Sequence, residues 1–270
     1  EEHRVSGWDD PRMPTLCGLR RRGYTPKSIR NFTDRIGVSK VPSVVEYGFL
    51  EHCLREDLNE TAQRVMAVTH PVPLTITNYP EGKTETFEIE NNPGHPEDGA
   101  RMVSFSGRLY VEAEDFLETP VPKYKRLYPD GPECRLKGAY LVRCTGCKKD
   151  ENGNISEILC TYDPDSRGGD PADGRKVKGA TIHWVDAGTA VDAEVRLYDN
   201  LFSDPDPDAP GKNFLDCLNP NSLTVVEGAK VETSLASAQP GDHFQFMRLG
   251  YFCADKDSTP EHLVFNRSVS

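Results

Sequence analysis

Lys123, Lys125 and Arg126 stand just before a YPDGPE stretch, and Arg135, Lys137 and Arg143 stand just after it. Only Asp130 and Glu133 offset them within residues 123–143. Guanidinium and ammonium groups at this density suit one chemistry well: gripping phosphate oxygens and the acceptor edges of bases. Tyr124 and Tyr128 add rings on which an unstacked base can lie. The YPDGPE turn predicts a hairpin that sets the two clusters side by side. Period-2 alternation then puts Lys123 and Lys125 on one face, and likewise Arg135 and Lys137. A solvated sheet face is the plainer alternative.

The rest of the chain leans the other way. It has 32 basic and 43 acidic residues and a net charge of −11. Such a surface repels a polyanion everywhere except at a local basic patch, so it argues against non-specific nucleic-acid binding and leaves specific binding open. A second patch, Arg20, Arg21 and Arg22 in GLRRRGY, sits at an expected helix end. There the cations complement the helix dipole or reach a phosphate.

Other groupings carry less. Cys144 and Cys147 form half of a zinc pattern, with Cys134 and Cys160 the nearest further thiols; plain strand-end thiols are expected instead. Asp163, Asp165, Asp170 and Asp173 lack the ligand order of a calcium loop, with Arg167 in the way, and read as turn formers. No P-loop, G-x-G-x-x-G or H-E-x-x-H occurs, and the seven His stand in no nucleophile–base arrangement. No catalytic or metal-ligating residue is therefore expected.

The elements that position these residues fall into two regimes. Up to about residue 62 the apolar period is that of helices. Thr15 to Gly23 and Thr25 to Gly37 carry start and stop signals, with Pro26 at a first helical position. Ile29, Phe32 and Ile36 form a stripe, continued by Tyr47, Leu50, Leu54 and Leu58 on a third helix with Ser43 and Glu46 as a capping box. Beyond Arg64 the period becomes 2. Strands are expected in PLTITNY, TETFEIE, RMVSF, GRLYVE, ECRLKGAYLVR and ISEILCTY, then at 180–185, 193–198, 223–226, 243–253 and 262–266. Ser106-Gly107 and DENGN read as hairpin turns. So many short strands, with 22 Gly and 21 Pro, predict a mainly β fold of two barrels behind a small helical subdomain. The stretch DPDSRGGDPADGRKVKG reads as a boundary between them.

No apolar run approaches the roughly 20 residues of a membrane span. The polar start without Met reads as a fragment of a longer, cytoplasmic protein, with its eight Cys reduced.

Longer strings then add a resemblance. GWDDPRMPTLCGLRRRGYTPKSIRNF, LREDLNETAQRVMAV, YKRL, CTYDPDSRGGDPADGRKVKGATIHWV, EVRLYDNLF, FQFMRLGYFCAD and VFNRSV follow one another as in glutaminyl-tRNA synthetases. The likeness runs almost from end to end and is thinnest over residues 79–122. It implies a class I aminoacyl-tRNA synthetase that uses ATP and Mg²⁺ to join glutamine to tRNA(Gln), most simply as a monomer. The HIGH- and KMSKS-type motifs of that family are absent from these residues, so the chain resembles the C-terminal half, with no cofactor of its own and no activity alone. The implied domains are a helical subdomain at 1–62, a proximal anticodon-binding β-barrel at 63–178 plus 256–270, and a distal one at 179–255. Arg64 resembles the family arginine at the middle anticodon base, with Gln245 and Arg248 as its partners. Lys125 and Arg126, beside Lys123, match residues at the third base; Arg135 and Lys137 match the first-base site, where the family more often has Arg at 137. Arg20, Arg21 and Arg22 are implied to lie along the tRNA backbone. A glutamyl-tRNA synthetase of the archaeal and eukaryotic type, or a β-sandwich interaction module, are the alternatives.

Overall fold

A computed structural model describes residues 4–41 and 44–270. The chain opens with three helices, α1 (Leu16–Arg22), α2 (Pro26–Ile36) and α3 (Tyr47–Thr61). The hydroxyls of Thr15 and Thr25 accept from the amides of Gly18 and Ser28, satisfying donors that the first turn of each helix leaves open. Gly23 ends α1 with φ 105°, and a β-carbon there would lie 2.6 Å from Cβ of Cys253, so glycine is required twice over. The third start differs from expectation. Glu46 is itself the N-cap of α3 and makes no side-chain capping bond, and Ser43 lies outside the described residues.

Among the described residues the strands follow in order: β1 (Gln63–Val65), β2 (Ala67–Val68), β3 (Pro71–Ile76), β4 (Thr84–Glu90), β5 (Ala100–Ser106), β6 (Arg108–Glu112), β7 (Cys134–Leu136), β8 (Leu141–Lys149), β9 (Ile155–Asp163), β10 (Thr181–Ile182) and β11 (Val185–Asp186). They continue with β12 (Val191–Tyr198), β13 (Leu223–Val231), β14 (His243–Phe246), β15 (Gly250–Ala254) and β16 (Leu263–Val269). The fold is mainly β with nearly closed sheets, as expected. It divides into two compact units: Glu1–Gln63 with Glu194–Glu227 and Ala238–Ser270, and Arg64–Ala193 with Gly228–Ser237.

In the first unit the strands run in the order β14-β15-β16-β12-β13. The expected strand 243–253 is two strands, because the chain reverses at residues 247–249 and pairs Phe246 with Gly250. The last strand, β16, pairs with β15. Residues 256–270 therefore group with the strands around them and not, as expected, with residues 63–178. Leu50, Leu54 and Leu58 of α3 pack with Leu19, Tyr24, Tyr251 and Val269, and Ile29 and Phe32 of α2 close the cluster. The stripe on α2 stops there; Ile36 is exposed. Within this unit Arg21 reaches Asp255 through two bonds of 2.9 and 3.0 Å, and Asp257 at 2.7 Å.

His243 is half-buried, and its Nε2 lies 2.8 Å from the carbonyl oxygen of Gly23. Burial holds its imidazole below the ordinary histidine pKa, against the pull of that carbonyl. A depressed histidine pKa means that the unfolded chain takes up the proton first. Its contribution to stability is complete above the unfolded value of about 6.5 and is lost as pH falls through the folded value. Melting temperatures recorded from pH 8 down to pH 5 should fall more steeply below about 6.5 in the wild type than in His243→Gln. Parallel curves would remove His243 from the acid response.

The second unit holds a sheet in the order β10-β7-β8-β9-β3-β6-β11 and the two-stranded ribbon β4-β5. Phe105, Phe87, Tyr140 and Trp184 meet edge to face at centroid distances of 5.1–5.5 Å and fill its centre. DENGN forms the expected hairpin turn, with the Asp150 carboxylate accepting the amides of Asn152 and Asn154. Ser106-Gly107 does not. There β5 pairs with β4 while β6 pairs with β3 and β11, so the chain changes partners at Gly107. Tyr79 explains the need for glycine: its ring would be 3.3 Å from a β-carbon at 107. The stretch expected as a boundary is likewise part of this unit. Arg175 ties it down by bonding Glu133 at 2.9 Å, Asp163 at 2.5 Å and Asp173 at 3.0 Å. A Gly/Asp/Pro-rich composition here makes a fixed loop rather than a linker.

Candidate nucleic-acid interface

Residues 123–126 are irregular, and the expected hairpin around YPDGPE does not form. Lys123 adopts φ 67°, which breaks the alternation that would have put it on one face with Lys125. The two basic clusters are nevertheless joined, through a segment that sequence reasoning assigned elsewhere. The amide of Ala180 donates to the carbonyl of Lys125 at 2.7 Å, and the carbonyl of Ala180 accepts from the amide of Arg135 at 3.0 Å. Two residues on, Lys137 donates its amide to Ile182 at 2.9 Å. Arg135 and Lys137 thus hang from alternate rungs against β10, so their side chains leave one face. Trp184, fully buried, fixes the end of this ladder by donating its indole N–H to the Lys137 carbonyl at 3.0 Å.

The cations differ in how they are held. Arg126 lies 3.1 Å from the buried carboxylate of Asp115, and Arg135 donates to the Gly169 carbonyl at 2.8 Å and to Asp170 at 3.1 Å. Both forks are oriented before any ligand arrives. By contrast Lys123, Lys125, Lys137 and Arg143 form no ion pair among the described residues. The backbone links through Ala180 and Ile182 bring the unpaired Lys125 and Lys137 beside the anchored Arg135, a grouping suited to phosphate or base edges. Tyr124 and Tyr128 stand 6.2 Å apart beside it, with the Tyr124 hydroxyl donating to the Glu114 carbonyl at 3.1 Å.

The remaining candidates lie elsewhere in the chain. Arg64 is half-buried on β1, and its amide donates to the Asn91 carbonyl at 2.7 Å. In the first unit, Gln245 pairs with Tyr251 across β14 and β15, and Arg248 is exposed in the turn between them at φ 70°. Lys123, Asp130 and Arg248 are the non-glycine residues at positive φ among those described. Two of the three, Lys123 and Arg248, are residues singled out for binding from the sequence. Of the three arginines ending α1, Arg20 is exposed, Arg21 is committed to Asp255 and Asp257, and Arg22 is buried.

Cys134, Cys144 and Cys160 are buried, while Cys147 is half-buried. Cys144 faces Cys160 across β8 and β9, well inside the strands rather than at their ends, and a bulge after Cys144 separates it from Cys147. Burial pushes the Cys134 thiol up to about 12. No metal-sized grouping of these cysteines exists among the described residues.

The comparisons give the patch its family. Models of the anticodon-binding domain of class I tRNA synthetases for Glu and Gln match residues 62–163 and 181–255, and the catalytic-domain model of the same class matches residues 1–60. The chain belongs to the class I glutamyl- and glutaminyl-tRNA synthetases. It is 56% identical over 271 residues to a glutamine–tRNA ligase of Clostridium perfringens, covering 100% of this chain and 49% of that protein. The glutamine–tRNA ligase of Vibrio vulnificus is 54% identical over 269 residues, covering 99% and 48%. That of Bradyrhizobium diazoefficiens is 52% identical over 268 residues, covering 99% and 47%. The chain thus spans about half the length of these relatives. Both cation clusters of residues 123–137 fall inside the first anticodon-binding match, and Gln245 and Arg248 fall inside the second. No helix among the described residues is long and apolar enough to cross a membrane.

Proposed function

We propose that this chain is the tRNA-binding C-terminal region of a cytoplasmic, monomeric glutamine–tRNA ligase. The observation that carries it is the convergence of Lys125 and Arg135 on Ala180, inside a stretch matched by an anticodon-binding model. In the full-length protein, ATP and Mg²⁺ would activate glutamine in a portion outside these residues, since the HIGH- and KMSKS-type motifs do not occur in them. This chain supplies recognition. Lys125 and Arg126, with Lys123 beside them, take the third anticodon base, and Arg135 with Lys137 takes the first. Arg64, Gln245 and Arg248 take the middle base. Arg20 contacts the tRNA backbone, while Arg21 is committed to Asp255 and Asp257 within the fold.

The physics favours such division of labour. Anticodon bases are unpaired, so each can be splayed into its own pocket and read on its Watson–Crick edge. An arginine whose fork is fixed in advance loses little entropy when a base with two acceptors arrives. Relatives named as glutamine–tRNA ligases favour glutamine over glutamate, and membership of the synthetase family removes the β-sandwich alternative.

Titrating the chain with tRNA(Gln), and with the same tRNA carrying a foreign anticodon, tests this. Tighter binding of the native anticodon, weakening with salt, is expected. Equal binding of both would leave only a phosphate-binding surface. Incubation with ATP, glutamine and tRNA(Gln) should yield no charged product, and any turnover would place catalysis in this chain after all.

A further inference from the structure

We propose that Arg22 and Arg267 form a binding site for a phosphate group. Arg22, at the end of α1, is 5% exposed, and Arg267, on β16, is half-buried. Together with Tyr47, Glu51, Asp199 and Ser270 they line a cavity of about 330 Å³. A guanidinium presents a fork of N–H donors, and leaving such donors unmet inside a protein is costly. Here they are largely unmet. One Nη2 of Arg22 donates to the Tyr198 carbonyl at 3.4 Å, and Nη2 of Arg267 donates to the same carbonyl at 3.5 Å. Both are long, and they share a single acceptor. Nε of Arg22 is buried with no acceptor at all.

The acidic neighbours do not close this gap. Oε1 of Glu51 is 3.7 Å from Nη2 of Arg22, outside hydrogen-bond reach. The Asp199 carboxylate accepts the amide of Asn200 at 2.7 Å instead. Glu51 thus pairs with Arg22 in charge without hydrogen-bonding it, and with Asp199 it tempers the charge of the pocket while leaving the guanidinium donors open. Burial, reinforced by the charge of Arg22, pulls the pKa of Arg267 below the ordinary arginine value. Arg21, next in the chain, shows the contrast: every face of its guanidinium meets a carboxylate. Two adjacent forks around an open volume match a tetrahedral oxyanion, which accepts from both at once, where a side-chain carboxylate would satisfy one.

The phosphate has two sources, free inorganic phosphate and the phosphodiester backbone of bound RNA. The second rests on the function proposed above; the first does not. The Nε–H resonances of the chain's arginines, followed during titration with inorganic phosphate, should show a saturable shift of Arg22 and Arg267. Arg267→Ala should weaken that binding roughly tenfold or more. Arg267→Lys should fall between, because an ammonium keeps the charge and loses the fork. A melting curve for each variant establishes that it is folded; if the alanine variant is not, the lysine variant carries the comparison. An Arg22 resonance that does not saturate, or equal affinity in wild type and variants, overturns the proposal. Competition by tRNA(Gln), together with weaker tRNA binding by Arg267→Lys, assigns the pocket to a phosphodiester. Phosphate binding that tRNA does not displace assigns it to the free anion. Failure of tRNA to bind at all would sink the RNA reading while leaving the phosphate site standing.

Discussion

Replacing Asp255 by alanine should destabilise the chain by about 3–5 kcal/mol, the cost of leaving a largely buried charge without its partner. The Asp255 side chain is 0% exposed and accepts two bonds from Arg21, one from the side-chain amide of Asn266 and one from the amide of Asp257. Removal strands all of these donors beneath β16. Asp255→Asn should cost less, since its oxygen still accepts from Arg21, although its NH₂ then opposes the guanidinium. Burial works against ionisation of Asp255, but Arg21, the Asp257 amide and Asn266 outweigh it and hold the carboxyl below the usual carboxylate range. A depressed acid pKa stabilises the fold above the unfolded value of about 3.9 and ceases to do so as pH falls through the folded value. Wild type should therefore lose more stability than Asp255→Ala on acidification below about pH 4. Chemical denaturation at pH 7 and pH 3 measures both effects. A loss under about 1 kcal/mol at pH 7 would mean that Arg21 finds another acceptor, with Asp9 and Asp257 the nearest.

The same residues show what the sequence could and could not say. Helix ends were legible because their signals are local: Thr15, Thr25, Gly23 and Gly37 act within a turn of themselves. Strand existence was legible from alternation, as in TETFEIE, whose Phe87 and Ile89 are buried while Glu88 and Glu90 are exposed. Pairing was not. Ser106-Gly107 has the composition of a hairpin turn, yet the partner of β5 is chosen by side-chain packing around Tyr79 and Phe105, which no local rule contains. Charge density drew attention to residues 123–137, but the link between the clusters runs through Ala180, a residue with no chemistry to advertise. Arg20, Arg21 and Arg22 look alike in sequence. Only long-range partners separate the exposed one from the ion-paired one and the buried one. Arg267 gave no signal, because its interest lies wholly in the acceptors it does not have.

The functional counterpart is Arg135. Its guanidinium is oriented by the Gly169 carbonyl, while its second contact, Asp170, is 85% exposed. An exposed ion pair of this kind is worth under about 1 kcal/mol, so a base offering two acceptors can displace the carboxylate at little cost. Arg135→Ala should then reduce discrimination at one anticodon position by roughly 10- to 100-fold, equivalent to about 1–3 kcal/mol, and leave the other two positions unchanged. Arg135→Lys should restore affinity at low salt without restoring discrimination, because a point charge attracts a base edge but cannot count its acceptors. Lys125→Ala, at the third-base site, should weaken binding and make its salt dependence shallower with a smaller loss of discrimination, because an ammonium is a point charge without a fork. Binding of tRNA variants changed at one anticodon base at a time, measured at two salt concentrations, separates these patterns. Should Arg135→Ala and Lys125→Ala lower affinity for every variant by the same factor, the cluster grips the backbone only, and base recognition must reside in other side chains.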